Sequence, residues 1–87
     1  MENLNWGIIG PNVADAREEL QSIEARIRAG EPIDEEEFQI AMQHAFHHLN
    51  FAWNARHWPI ERYANLSDTD FKAGGRFPVD LEFKDLS

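Results

Sequence analysis

The sequence predicts a mainly α domain: an antiparallel helical hairpin with a short third helix and extended, possibly strand-like N- and C-terminal arms. Two long segments place apolar side chains at helical spacing, and residues that start or stop helices bound each of them. The two terminal segments instead alternate apolar and polar residues with a period of two. A chain of 87 residues is expected to form a single globular domain, 1–87.

The first ten residues are expected to form an extended arm. Their apolar side chains alternate with polar or small ones, at Leu4, Trp6 and Ile8. Because Trp6 is large and apolar, the arm should dock on the rest of the domain.

The first helix is expected to run from Pro11 or Asn12 to Ala29. Proline suits a first helical turn, and asparagine is a good N-cap. Gly30 is a natural C-terminal stop. The apolar residues of this helix form one stripe, so it should be covered on one side only: Val13, Ala16, Leu20, Ile23 and Ile27.

The central helix is expected to span Asp34 to Trp58. Asp34 and Glu37 have the spacing of a capping box, and Pro59 disfavours helical geometry at the residue before it. The short connection from Gly30 to Ile33 predicts that the two long helices are antiparallel.

The central helix has two apolar faces and one polar strip. The main core face is predicted to comprise Phe38, Ala41, Met42, Ala45, Phe46, Leu49, Ala52 and Trp53. We therefore expect Leu49 to be buried and Leu49→Ala to cost roughly 2–5 kcal/mol. The second, mixed face contains Ile40, His44, His48, Phe51, Ala55 and Trp58. The strip is polar but nearly uncharged, which indicates partial burial or a contact surface: Gln39, Gln43, Asn50, Asn54 and His57, with His47 at its margin.

Two short helical segments and a strand-like tail follow Pro59. Residues 60–64 are expected to form a helical turn, and residues 66–72 a short helix capped by Ser67 and ended by Gly74 and Gly75. The tail alternates apolar and polar residues from Arg76 to Lys84. Its partner could be the N-terminal arm, the same arm of a second copy, or none, with the tail lying across the helices.

Composition excludes several classes of function. The net charge of −8 argues against nucleic-acid binding and favours a protein partner, possibly a basic one. No apolar run approaches the length of a membrane span, so no membrane partner is expected. The absence of cysteine excludes disulfides and thiolate metal sites, and it fits a reducing compartment such as the cytoplasm.

The histidines of the central helix are the strongest candidates for chemistry. His44 and His48 are four residues apart, a spacing that can hold a divalent metal. Against this, Ala45 directly follows the first histidine, where the zinc-peptidase motif has a glutamate. The alternative is that the two imidazole rings pack and form hydrogen bonds within the fold. No nucleophile occurs in a recognised motif, so catalysis is not expected.

The sequence therefore favours a noncatalytic interaction protein, and the alternative is a metal-binding protein or metal-dependent enzyme that uses His44 and His48. The predicted partner-binding surface comprises Ile40, His44, His47, His48, Phe51, Asn54 and Trp58. A homodimer through the second face is also expected, and protonation of its histidines near pH 5–6 should weaken it. The competing arrangement is that the C-terminal arm covers this face within one chain.

Overall fold

The computed structural model describes residues 3–85, which contain four helices: α1 (Trp6–Arg28), α2 (Glu35–Asn54), α3 (Ile60–Ala64) and α4 (Asp68–Gly75). Helices α1 and α2 pack as an antiparallel hairpin, α4 packs on α2, and α3 contacts α1. The predicted mainly α fold with a helical hairpin is confirmed. Residues 1 and 2 of the predicted N-terminal arm lie outside the described residues.

Helix α1 begins at Trp6, so the prediction that residues up to Gly10 are extended is wrong. The side chain of Asn5 caps the helix by accepting a hydrogen bond from the N–H of Gly7. The Asn5 N–H also donates to the carbonyl of Arg56 (2.7 Å), and its side-chain amide donates to that of Trp58 (2.8 Å). These bonds anchor the start of α1 to the end of α2, and the helix continues through Pro11.

The turn between the long helices follows a standard helix-termination motif. Gly30 has a φ of 71°. Its N–H donates to the backbone carbonyl of Ile27, and the N–H of Glu31 donates to the backbone carbonyl of Arg26. This is the Schellman arrangement, in which glycine supplies the left-handed residue. Asp34 then caps α2 as predicted, accepting from the N–H of Glu37 at 2.8 Å.

The core centres on Phe51 and Ala55, which belong to the second face of α2. On the predicted main face Ala45 is buried, but the large side chains are exposed: Phe38, Phe46 and Leu49. Phe51 is 2% exposed and packs with Ile8 and Ala55, while Trp58 and Tyr63 close the cluster. By contrast, Leu49 is 44% exposed, which corrects the prediction that it is buried. The reason is that the N-terminal part of α1, α3 and α4 gather around Phe51, leaving the opposite side of α2 open.

The uncharged strip of α2 packs against the end of α4. The Asn50 amide donates to the carbonyl of Gly75 (2.9 Å), and the Asn54 amide donates to those of Gly74 (2.9 Å) and Arg76 (2.7 Å). These amides satisfy carbonyl groups that a helix end otherwise leaves unpaired. The lack of charge predicted either partial burial or a contact surface, and the structure shows Asn50 buried and Asn54 partly buried.

The remaining boundaries differ in detail from the prediction. Helix α2 ends at Asn54 and not at Trp58, because the chain turns before Pro59 and the Trp58 N–H donates to the carbonyl of Ala55. Helix α3 spans the predicted residues. Helix α4 begins after the predicted Ser67 cap, but it extends to Gly75. Within residues 3–85 no strand forms, and the C-terminal segment from residue 76 lies along α2 instead.

Candidate interaction surface

Three of the predicted partner-binding residues hold the fold together. Phe51 is buried in the core, which removes it from any contact surface of this fold. The side-chain amide of Asn54 donates hydrogen bonds to the carbonyls of Gly74, in α4, and Arg76, just after it. Trp58 is half-buried against Phe51, with the guanidinium of Arg62 stacked 3.8 Å from its ring centroid.

Two of the predicted histidines pack at helix–helix contacts. The ring of His47 lies between Phe51 and Phe71, with centroid separations of 5.2 and 5.1 Å. Burial and the neighbouring histidines lower the pKa of His47 from its ordinary value. His48 is half-buried, and its Nδ1 lies 3.2 Å from Oδ1 of Asn12 in α1.

Ile40 and His44 remain exposed on one edge of the hairpin. His44 Nδ1 lies 2.9 Å from Oε1 of Glu19, so this ring bridges α2 to α1. His48 approaches Asp15 at 3.9 Å rather than sharing a site with Glu19. In the described part of the chain, no group of three or more His, Cys, Asp or Glu side chains could hold a metal ion.

Exposed apolar surface lies on the other edge of the hairpin, around Leu49. Among the described residues, Leu49 lines three neighbouring cavities of about 310, 290 and 460 Å³. The first reaches Val13 and Leu20 on α1, and the second reaches Trp6 and Trp53. The third, which we call the aromatic groove, is lined by Phe46, Leu49, Asn50, Trp53, Phe77, Pro78, Leu81 and Phe83.

The aromatic groove has α2 as one wall and the C-terminal segment as the other. Phe46 and Phe77 meet edge to face across it, with ring centroids 5.3 Å apart. Phe83, at its open end, is 89% exposed. Asn50 is the polar side chain of the lining, and its amide is already bonded to Gly75.

Asp80 fastens the C-terminal segment to the end of α2. Its carboxylate accepts a hydrogen bond from Nε1 of Trp53 (3.0 Å) and another from the guanidinium of Arg56 (3.3 Å). These donors hold the pKa of Asp80 below its usual value. Arg56 in turn stacks on Trp53, 3.9 Å from the ring centroid. The segment that forms the second wall is therefore positioned by specific polar contacts.

Sequence reasoning placed Phe46, Leu49 and Trp53 in the core and so missed this groove. The signal that could have found it is the surplus of apolar residues. The central helix carries two apolar faces, whereas the short helices that follow can cover only one.

Comparisons with known proteins do not assign this chain to a family. No family model, no curated protein and no solved structure matches this chain. None of the helices in residues 3–85 is both long enough and apolar enough to span a bilayer.

Proposed function

We propose that this protein is a noncatalytic interaction protein whose aromatic groove binds an apolar segment of a partner protein carrying basic flanking residues. The observation that carries the proposal is the exposed apolar surface centred on Leu49. Contiguous exposed apolar surface of this kind is typical of binding sites. The groove lining is apolar apart from Asn50, so it offers a partner shape and apolar contact rather than acid–base groups.

The amount of exposed surface supports a missing partner. The accessible surface of the chain is 6777 Å², whereas a compact monomer of 10.1 kDa exposes about 5,300 Å². The radius of gyration is 15.0 Å, compared with about 12 Å for a compact domain of this length. The excess of about 1,500 Å² exceeds the roughly 800 Å² that each protein contributes to a standard interface.

Charge indicates which partners fit. The chain carries 16 acidic and 8 basic residues, while Glu82 and Lys84 on either side of Phe83 balance each other, so the attraction comes from the net charge of the whole chain. Lys or Arg residues beside an apolar segment would be attracted to this protein, while an acidic segment of the same shape would be repelled. A helix that presents apolar residues at spacings of three and four is the recurring ligand of such grooves.

Two designed helical peptides test the proposal directly. Both carry the same Leu and Phe residues on one face, but one has Lys flanks and the other has Glu flanks. We expect isothermal titration calorimetry to detect binding of the Lys-flanked peptide, with affinity at least about tenfold above that of the Glu-flanked peptide. Absence of binding by the Lys-flanked peptide, or equal binding of both, would contradict the proposed function.

A matched pair of variants locates the binding site. Phe83 is 89% exposed in the groove, whereas Val79 is 82% exposed and lines a different cavity with Trp58 and Arg62. Phe83→Asp should abolish peptide binding, and Val79→Asp, in the same segment and with the same change of charge, should preserve it. Equal effects of the two substitutions would place binding elsewhere.

The same pair of positions can identify the natural partner. A photo-crosslinking amino acid at position 83 should capture a protein in the native host, and one at position 79 should not. We expect the captured segment to contain apolar residues next to Lys or Arg.

A further inference from the structure

Helix α1 has an exposed apolar stripe with a repeat of seven residues. The outer stripe comprises Trp6, Val13, Leu20 and Ile27, each at least two-fifths exposed. A repeat of seven keeps side chains on one side of a helix over several turns and is the pattern of helices that pack along their length. The next apolar residues, Ala16 and Ile23, are buried. The hairpin therefore covers Ala16 and Ile23 of α1 but leaves the outer stripe open.

Two oppositely charged residues flank the outer stripe. Arg17 and Glu24 line the same cavity as Val13, Leu20 and Leu49. Among the described residues Arg17 has no ion-pair partner. Glu24 makes a 3.6 Å contact with Arg28, and the side chains of both Glu24 and Arg28 are well exposed. The two charges are seven residues apart, like the apolar residues beside them.

We propose that a second copy of this chain covers the outer stripe, with α1 of one copy packed antiparallel on α1 of the other about a twofold axis. The midpoint between Arg17 and Glu24 lies between Leu20 and Gln21. An axis at that point places Arg17 of each copy opposite Glu24 of the other, so that the twofold symmetry forms the same ion pair twice. A parallel arrangement would instead place like charges side by side.

The size of the surface is suitable for this interface. From Val13 to Ile27 the stripe extends about 21 Å along α1. The excess surface of about 1,500 Å² is larger than the roughly 800 Å² that each copy contributes to a standard interface. Two hairpins joined in this way form a four-helix layer, a common way to bury one apolar face per hairpin.

The net charge of −8 on each copy does not prevent this association at physiological ionic strength. Charges more than about 8 Å apart are largely screened there, whereas Arg17 and Glu24 would be in direct contact. The partner of this surface differs from that proposed for the aromatic groove. Leu49 borders both surfaces, so the two proposals are separated by variants at residues that line only one of these two surfaces: Leu20 for the dimer and Phe83 for peptide binding.

Sedimentation equilibrium of the whole chain at physiological ionic strength tests the proposal. We expect a dimer at micromolar concentrations. Leu20→Glu should give a monomer, because it places like charges against each other at the axis. Ile40→Glu is the matched control, since Leu20 is 43% exposed on the outer stripe and Ile40 is 47% exposed on the opposite edge of the hairpin. Far-ultraviolet circular dichroism should show that both variants keep the helix content of the original chain.

Charge reversal tests the antiparallel register. Arg17→Glu and Glu24→Arg should each raise the dimer dissociation constant roughly five- to tenfold, because two attractive pairs become repulsive. The combined variant should return to within about twofold of the original. A monomeric original chain at high micromolar concentration, a Leu20→Glu variant that stays dimeric, or an Ile40→Glu variant that alone becomes monomeric would each overturn the proposed interface. Failure of the combined charge variant to recover would overturn the antiparallel register.

Discussion

Gly74→Ala should destabilise the protein even though alanine favours helices. Gly74 lies in α4 directly over Phe51, and a Cβ at this position would stand 2.8 Å from Cδ1 of Phe51 and still closer to Cε1 and Cζ. Phe51 is 2% exposed and enclosed by other rings, so it has little space to move. Overpacking of this kind costs about 1–3 kcal/mol. The gain in helix propensity is at most about 1 kcal/mol and is smaller near a helix end.

Gly10→Ala is the matched control without the overlap with Phe51. Gly10 lies within α1, and apart from its own chain neighbours nothing lies within 4 Å of the position its Cβ would take. Helix propensity favours alanine by about 0.5–1 kcal/mol, whereas Pro11 disfavours helical geometry at a preceding residue that carries a Cβ. Because the two effects oppose each other, the free energy of unfolding should change less than in Gly74→Ala.

Urea unfolding followed by circular dichroism at 222 nm measures both variants. We expect the transition midpoint to fall for Gly74→Ala and to change less for Gly10→Ala, with similar slopes. An unchanged or higher midpoint for Gly74→Ala would refute the close approach of α4 to Phe51. A fall for Gly10→Ala as large as that for Gly74→Ala would show that the overlap with Phe51 is not the cause.

Three further predictions concern the core and its pH dependence. Phe51→Ala should lower the free energy of unfolding by about 3–5 kcal/mol, because Phe51 is buried. Leu49→Ala should lower it by about 1 kcal/mol or less, because the Leu49 side chain is 44% exposed. Comparable costs in urea unfolding would mean that the two faces of α2 are misassigned. Asn54→Ala should cost about 1–2 kcal/mol, because it leaves carbonyls at the end of α4 unpaired, and a neutral result would contradict their protection by this amide. Burial lowers the pKa of His47 on folding, so the unfolded chain binds more protons than the folded chain. The folded state is therefore most stable above pH about 6.5, and its free energy of unfolding decreases as the pH falls through the folded-state pKa of His47. The urea midpoint should therefore decrease between pH 7.5 and 5, and His47→Gln should reduce that decrease.

Local signals were sufficient for the helices and several of their ends. Asp34, Ser67 and Gly30 were identified from sequence because a cap or a left-handed turn depends on a few neighbouring residues. The start of α1 could not be identified in this way. Its cap, Asn5, is held by the carbonyls of Arg56 and Trp58, which are remote in sequence.

The candidate site depended still more on tertiary structure. Periodicity correctly found an apolar stripe on α1 and two apolar faces on α2, but spacing alone does not show which of them another element will cover. The short helices after Pro59 gather around Phe51, so the face containing Leu49, predicted to be the core, becomes exposed. The sequence by itself determined a helical hairpin with more apolar surface than one small chain can bury. Only the tertiary structure decided which part of that surface stays open, because burial depends on contacts between residues far apart in the chain.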